Sequence, residues 1–165
     1  MDLCQAALYQ LLLAGDSALK HLVKVVKDTL RSMDVIARFG GEEFVVLMPE
    51  TEVAVAAVAA ERLRAAAAAI RVHAEDGREV TLTISIGVAE AIAGDKPSTL
   101  LMRSDGALYR AKQEGRDRVV RGSFTNPTPE YLAQTPLSPA LKADLDRQGI
   151  RDLNNVQAMI LFNIG

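Results

Sequence analysis

The sequence has 165 residues, of which 24% are charged and 49% hydrophobic, with a formal net charge of -2 at pH 7. These proportions exclude a disordered chain, and the small charge gives no overall attraction for a nucleic acid polymer or an anionic membrane. Its one cysteine, Cys4, excludes an intramolecular disulfide, and no apolar run reaches the roughly 20 residues of a membrane-spanning helix. We therefore expect a globular, cytoplasmic protein without membrane insertion.

The first part of the chain predicts helices. Residues 1–14 carry leucines at helical spacing and form an atypical N-terminal segment. From Asp16 to Met33 an apolar stripe runs opposite a lysine-rich side, which is typical of an amphipathic helix. Asp16 has the right chemistry to be the N-cap of that helix.

A hairpin and a long helix are predicted next. Val35–Phe39 and Phe44–Met48 are β-prone runs, and the Gly-Gly-Glu-Glu sequence between them indicates a tight turn that carries two adjacent acids. Thr51–Val72 is so rich in alanine that it predicts one long helix, with small side chains suited to close packing on a sheet.

The remaining elements complete a predicted domain over residues 15–121. Val80–Val88 alternates apolar and small polar residues as a strand does, and Gly87 within it suits a bulge or a close backbone approach. A helix from Ser98 to about Glu114 and a short strand at Val119 and Val120 follow. The order of elements predicts an α+β fold in which helices flank one antiparallel sheet.

Residues 122–165 form a C-terminal extension rich in proline near its start. Four prolines between Gly122 and Pro139 argue against regular structure there. Two short helices are predicted beyond them, Ala140–Gln148 and Asn154–Phe162.

The predicted turn at Gly40, Gly41, Glu42 and Glu43 is the first candidate for chemistry. Glycine lets a ligand approach the backbone closely, and two carboxylates aimed at one point suit a Mg²⁺ ion on a nucleoside triphosphate. The same spacing also fits a plain hairpin whose acids are only solvated.

Three motifs in order, RFGGEEFVVLMP, LTISIGVA and SDGALYRAKQEGRDRV, make residues 15–121 similar to a GGDEF domain, the catalytic domain of bacterial diguanylate cyclases. The resemblance implies a nucleotidyl-cyclase or ferredoxin-like palm. It also implies that two GTP molecules are condensed to cyclic di-GMP and pyrophosphate, with Mg²⁺ or Mn²⁺ as cofactor. Because each subunit would bring half of the site, a homodimer is implied for turnover.

The resemblance also assigns roles within the turn. Gly40 and Gly41 would contact the nucleotide closely. Glu42 would bind the metal and help to activate the ribose hydroxyl, and Glu43 would assist the metal site, roles that suit carboxylates.

Three further residues are assigned to the nucleotide by the same resemblance. Lys112 and Arg116, four residues apart at the end of a helix, would hold terminal phosphates, although such a pair is also common on solvated surfaces. Asp16 would read the guanine edge, a role compatible with its capping a helix.

A second, inhibitory site for cyclic di-GMP is implied by the resemblance. It would consist of Arg31 and Asp34, which form an RxxD motif five residues before Gly40, together with Arg62 on the long helix. Arginine can hydrogen-bond and stack on guanine, and Asp34 can accept from a second guanine edge. An RxxD motif also arises by chance.

The chain departs from the family pattern upstream of Asp16. Members carry a central first strand that ends in a metal-binding aspartate, followed by an asparagine and a Gly-His pair. Here Ala7, Leu11 and Leu12 occupy the later positions, and only a short deletion would bring Asp2 to the metal position. We therefore expect the first central strand to be missing or replaced, with weakened metal binding and activity.

Three hypotheses remain open from the sequence. The first is a diguanylate cyclase domain, and the second is a catalytically impaired domain that binds cyclic di-GMP as a sensor. The third is an interaction module in which residues 122–165 dock on a partner or on the sheet, at the place of the missing strand. A fragment or a rearranged gene product would explain the same departure.

Overall fold

The structure is a computed structural model that describes residues 19–73, 77, 79–122 and 156–164. Ten elements lie within these ranges. In chain order they are α1 (residues 19–29), β1 (Val35–Gly40), β2 (Glu43–Pro49), α2 (Val53–Ala68), β3 (Arg71–His73), β4 (Glu79–Thr81), β5 (Ile84–Glu90), α3 (Pro97–Gln113), β6 (Val119–Arg121) and β7 (Val156–Ile164).

Five strands form one sheet in the order β1-β2-β7-β5-β6. All neighbours in this sheet are antiparallel except β5 and β6, which are parallel. Strands β3 and β4 form a separate two-stranded sheet. The prediction of an α+β fold with an antiparallel sheet flanked by helices is confirmed.

The central strand of the sheet is β7, which comes from the C-terminal extension. Phe162 pairs with Phe44 of β2 on one side and with Ile86 of β5 on the other. The prediction of a helix at Asn154–Phe162 is therefore wrong. A strand that is buried on both faces reads as a continuous apolar run, and such a run has no period that separates it from a buried helix.

The sheet separates two apolar layers. On one face, α1 and α2 pack against the side chains of Phe44, Ile86 and Phe162, among others. On the other face, α3 packs against residues that include Leu47 and Leu161. Because successive residues of a strand point to opposite faces, β7 supplies both layers.

Close helix packing explains the small residues that the sequence places in α2 and at Gly87. The buried face of α2 consists of Ala56, Ala60, Leu63 and Ala67, so this helix lies close to the sheet. A Cβ atom added to Gly87 would overlap the backbone of α3 at Ser104 and Leu108. The predicted close backbone approach at Gly87 is thus confirmed.

Two predicted boundaries differ from the structure. The helix predicted over Thr51–Val72 ends at Ala68, and β3 follows it with β-branched Val72 at its centre. The strand predicted over Val80–Val88 is divided between β4 and β5, which belong to different sheets. The predicted helix at Ala140–Gln148 and the segment 1–14 lie outside the described residues.

The central position of β7 predicts a large stability effect for Phe162, whose ring stacks on Phe44 with 5.2 Å between centroids. We expect Phe162→Ala to lower the free energy of unfolding by about 3–5 kcal/mol, the range for a buried aromatic residue. Urea denaturation measures this change. Gln157→Ala, at an exposed position of the same strand, is the control, and an equal effect of the two substitutions would contradict the placement of β7.

Candidate functional site

Contacts within the hairpin itself hold the turn between β1 and β2. The Arg38 side chain donates hydrogen bonds to the Gly41 carbonyl oxygen, with a distance of 3.1 Å from Nε. Its guanidinium also lies 5.9 Å from the centroid of the Phe44 ring, at the start of β2. Both contacts fix the turn that carries Glu42 and Glu43 at the end of the sheet.

An open pocket of about 710 Å³ lies beside this turn. This volume falls within the range of small-molecule sites in proteins. Its lining combines backbone, apolar, acidic and basic groups from four parts of the chain. The lining residues are Leu19, Gly41, Glu42, Glu43, Lys112, Arg116, Asn163 and Ile164.

Predicted turn acids and predicted phosphate-binding cations meet in this pocket. Lys112, in the last turn of α3, places its Nζ atom 3.4 Å from Oε1 of Glu43. Both side chains are about one-third exposed. The pocket therefore presents an ion pair that water and a ligand can reach, together with the carboxylate of Glu42 and the guanidinium of Arg116.

Arg116 lies in a loop with an unusual backbone. Gly115, Arg116 and Asp117 have φ angles of 114°, 60° and 43°, so two non-glycine residues in succession occupy the left-handed region. This conformation carries an energetic cost that surrounding contacts must offset. The Arg116 N–H donates to the Ala111 carbonyl at 2.9 Å, which joins the loop to the end of α3.

A salt bridge to α2 also anchors this loop. Arg64 Nη1 lies 2.8 Å from Asp117 Oδ1, and Arg64 Nη2 lies 2.7 Å from Glu61 Oε1. The hydrogen bonds that Arg64 donates to Glu61 and Asp117 raise the pKa of Arg64 above its ordinary value. No local pattern in the sequence predicts this anchor, since Arg64 and Asp117 are 53 residues apart.

Asn163 is the most important pocket residue that was not predicted from the sequence. It lies near the end of β7, opposite Glu43 of β2 and Ser85 of β5, and it is only 9% exposed. The next residue, Ile164, donates its N–H to the Glu42 carbonyl at 3.2 Å. The available signal was an apolar run that ends in one polar residue, which is typical of a buried strand that leads into a site.

The described residues of this pocket supply only part of a binding site for a divalent metal ion. Glu42 and Glu43 fit a Mg²⁺ ion that also binds phosphate oxygens, since magnesium is commonly held by one or two carboxylates plus substrate phosphates. Across the described ranges, no three histidine, cysteine, aspartate or glutamate side chains form a group that would hold a metal ion. The predicted ligand Asp2 and the predicted guanine reader Asp16 lie outside those ranges.

The predicted product-site residues lie elsewhere. Arg31 Nη2 is 2.9 Å from Asp34 Oδ1, and the Asp34 side chain is 1% exposed. Arg31 also donates to the Pro49 carbonyl and to the Thr51 hydroxyl, and the hydrogen bond with Asp34 raises the Arg31 pKa. Arg62 is exposed on α2, and among the described residues no hydrogen bond or ion pair joins it to this pair.

A scan against protein-family models matches residues 12–118 to "Diguanylate cyclase, GGDEF domain". The chain belongs to the GGDEF domain family. Several of its curated relatives are named diguanylate cyclases. Within the described ranges, the GGDEF chain has no helix long and apolar enough to cross a membrane.

Two curated bacterial relatives and one solved structure illustrate the similarity. Diguanylate cyclase DgcP of Pseudomonas aeruginosa is 45% identical over 107 residues, which are 65% of this chain and 16% of DgcP. Response regulator PleD of Caulobacter vibrioides is 44% identical over 108 residues, which are 64% of this chain and 24% of PleD. The chain thus spans a quarter or less of these relatives.

The solved structure is the GGDEF domain of DgcB from Caulobacter crescentus in complex with cyclic di-GMP. It superimposes with a TM-score of 0.62 and 28% sequence identity, and the match covers 65% of this chain and 64% of the DgcB chain. The palm fold predicted from the sequence is confirmed by this likeness.

Asp105, on α3, predicts a pH dependence of stability in the GGDEF domain. Burial raises its pKa, Glu43 adds to the rise, and Lys112 partly offsets it. The folded state therefore binds a proton at Asp105 more tightly than the unfolded state does. The ionised carboxylate destabilises the fold at neutral pH, and this penalty disappears as pH falls through the folded pKa. We expect Asp105→Asn to stabilise the protein at pH 7, with a gain that shrinks in acid.

Asp95 provides a control, because its carboxylate should change thermal stability with pH in the opposite direction. Thermal denaturation at several pH values measures both effects. Burial opposes its ionisation, but hydrogen bonds from Arg103, Thr99 and the Ile92 N–H outweigh burial and lower the Asp95 pKa. Its stabilising contribution is present at neutral pH and is lost as pH falls through the folded pKa. Asp95→Asn should destabilise at pH 7, and the same sign for both variants would refute this account.

Proposed function

We propose that this domain binds GTP in the pocket at the β1–β2 turn and condenses two GTP molecules to cyclic di-GMP and pyrophosphate. The observation that carries the proposal is the convergence of Glu42, Glu43, Lys112 and Arg116 on one pocket. The diguanylate cyclase homologues support the same reaction. Such a reaction belongs in the bacterial cytoplasm, where GTP is available.

The two cations would hold the nucleotide phosphates. Lys112 is a point charge at the end of a helix, and Arg116 adds a planar fork that binds phosphate oxygens in pairs. Lys112 already faces a carboxylate at 3.4 Å, a distance longer than a strong charge-assisted hydrogen bond. A phosphate group can therefore share this cation while Glu43 remains near it.

The glycine turn would provide room for the nucleotide. Gly41 has no positive φ angle, and a Cβ atom added to it would meet no heavy atom of the described residues within 4 Å. Neither backbone conformation nor packing requires glycine at this position. Its missing side chain instead leaves open space over the turn, where a ligand can contact the backbone.

The acids would supply the metal and proton chemistry. A Mg²⁺ or Mn²⁺ ion held with the phosphates would favour attack by the ribose hydroxyl and stabilise charge on the phosphoryl oxygens. Glu42 would be a metal ligand and would help to accept the hydroxyl proton, and Glu43, beside Lys112, would assist the metal site. Asp16 would read the guanine edge.

Condensation of two nucleotides would require two copies of the chain. The pocket of about 710 Å³ suits one nucleotide, and all its lining groups contact that one space. A homodimer that brings two such pockets face to face would place each ribose hydroxyl against the other nucleotide. Each subunit would contribute half of the site.

Removal of either cation should weaken nucleotide binding. We expect Lys112→Ala and Arg116→Ala each to lower the affinity for a nonhydrolysable GTP analogue with Mg²⁺ by about tenfold or more, since hydrogen bonds to charged groups contribute ~1.5–3 kcal/mol. Isothermal titration calorimetry measures the affinity. Arg110→Ala is the control, because Arg110 is on the same helix but donates to the Arg121 carbonyl. An equal loss in Arg110→Ala would count against the proposed site.

Binding of cyclic di-GMP is a second candidate function. The DgcB GGDEF domain was solved with this ligand, and in the present chain nearly half of the Arg31 side chain is exposed beside Asp34. Arg31, Asp34 and Arg62 would form the inhibitory product site, or a sensor site if turnover is lost. Arg31 would then leave part of its present network to stack on guanine.

A substitution pair separates this second site from the pocket. We expect Arg31→Ala to abolish cyclic di-GMP binding in calorimetry, and Glu42→Ala to retain it, because the two residues lie in different parts of the domain. Since Arg31 also bonds Thr51 and the Pro49 carbonyl, thermal unfolding must first show that Arg31→Ala remains folded. Full binding by folded Arg31→Ala would overturn this candidate.

A further inference from the structure

The central strand delivers an amide, not a carboxylate, to the pocket. Asn163 is 9% exposed, lies opposite Glu43 in the β2–β7 register and lines the pocket near Lys112. Within the described part of the chain, no hydrogen bond of its side chain to another residue occurs. None of the described residues pairs with this amide, and a buried amide that lacks a partner is costly, so its donors and its acceptor can serve a ligand.

Charge in the pocket is poorly arranged for a metal ion alone. The lining contains two carboxylates, Glu42 and Glu43, and Glu43 already faces the ammonium of Lys112 at 3.4 Å. The nearby positive charges of Lys112 and Arg116 oppose the approach of a divalent cation. Asn163 contributes no charge at the most buried position of the lining.

The same arrangement favours a polyphosphate. Lys112 and Arg116 attract phosphate oxygens, and the Asn163 amide N–H can donate to an oxygen where a carboxylate would repel it. The phosphates then bring the negative charge that a divalent ion needs, in addition to Glu42 and Glu43. Occupation by a nucleotide thus creates the metal site.

We propose that this pocket has no stand-alone divalent-metal site, that the metal enters only with the nucleotide, and that Asn163 causes this order. The second part rests on the proposed function, because it needs a nucleotide in the pocket. The first part concerns the protein and the metal alone. Asn163→Asp, which adds one carboxylate of nearly equal size, should convert the pocket into a site that binds metal without nucleotide.

Manganese titration of the full chain tests the first part, with calorimetry and the electron paramagnetic resonance signal of Mn²⁺ as readouts. We expect the unaltered chain to bind Mn²⁺ at least tenfold more weakly than Asn163→Asp in the absence of nucleotide. Gln157→Glu, the same amide-to-acid change at an exposed position of β7, should behave like the unaltered chain. Equal Mn²⁺ affinity of the unaltered chain and Asn163→Asp would overturn the proposal.

Titration of a nonhydrolysable GTP analogue in the presence of EDTA tests the second part. The unaltered chain should retain measurable affinity without metal, and Asn163→Asp should lose about tenfold, which is equivalent to ~1.4 kcal/mol. Metal-free binding that is unchanged in Asn163→Asp would contradict a phosphate-facing amide. If no variant binds the analogue under any condition, the proposed function fails, whereas a gain of Mn²⁺ binding in Asn163→Asp would still support the first part.

A buried carboxylate at position 163 destabilises the fold. Two further measurements therefore keep the test valid if Asn163→Asp is less stable than the unaltered chain. Mn²⁺ should raise the thermal unfolding temperature of Asn163→Asp and not that of the unaltered chain, because a ligand stabilises the state that binds it. Asn163→Ala removes the amide without adding charge. It should lose metal-free analogue affinity without gaining Mn²⁺ binding, and a gain of Mn²⁺ binding in this variant would overturn the role of the charge.

Discussion

Pairing of β7 with β2 on one side and β5 on the other is the interaction on which the rest of this GGDEF domain depends. If β7 left its place, the β1–β2 hairpin would lose its link to β5 and β6, and both edges would expose unpaired backbone groups. Both apolar layers would also lose side chains, since Ile160 and Phe162 serve one and Met159 and Leu161 the other. The strand therefore completes the hydrogen bonding and the core together.

The same pairing assembles the site. Glu42 and Glu43 lie on the hairpin, whereas Lys112 and Arg116 are carried by α3, which packs on β5 and β7, and by the loop after it. β7 pairs with β2 of the hairpin on one side and with β5, on which α3 packs, on the other, and in this arrangement Lys112 lies 3.4 Å from Glu43. Local contacts then refine each half, with Arg38 on the turn and Arg64 on the left-handed loop. Surface ion pairs contribute little to global stability, so the Arg64 contact matters for loop geometry.

Features with a local cause were predictable from the sequence, and features with a long-range cause were not. The hairpin turn follows from Gly40 and Gly41 between two β-prone runs, and the pocket groups on the turn and on α3 follow from motif resemblance. In contrast, β7 is an apolar run whose length suits a strand or a helix, and only the gap between β2 and β5 decides for a strand. The Arg64–Asp117 contact joins residues 53 positions apart and leaves no local trace. Asp2 and Asp16 lie outside the described residues, so their roles stay predictions.

Because one strand both completes the core and ends in the pocket, its sequence is under two constraints that meet at Asn163. Burial at 9% exposure favours a neutral side chain there, since an isolated carboxylate in the same place would have to be desolvated. Metal binding favours the opposite choice, a charge that only a bound cation can stabilise. An amide at this position favours folding without metal. The negative charge that a divalent ion requires must then come from the phosphates of the ligand. In the proposed site, therefore, the same buried amide spares the fold a desolvated charge and leaves divalent binding dependent on the nucleotide.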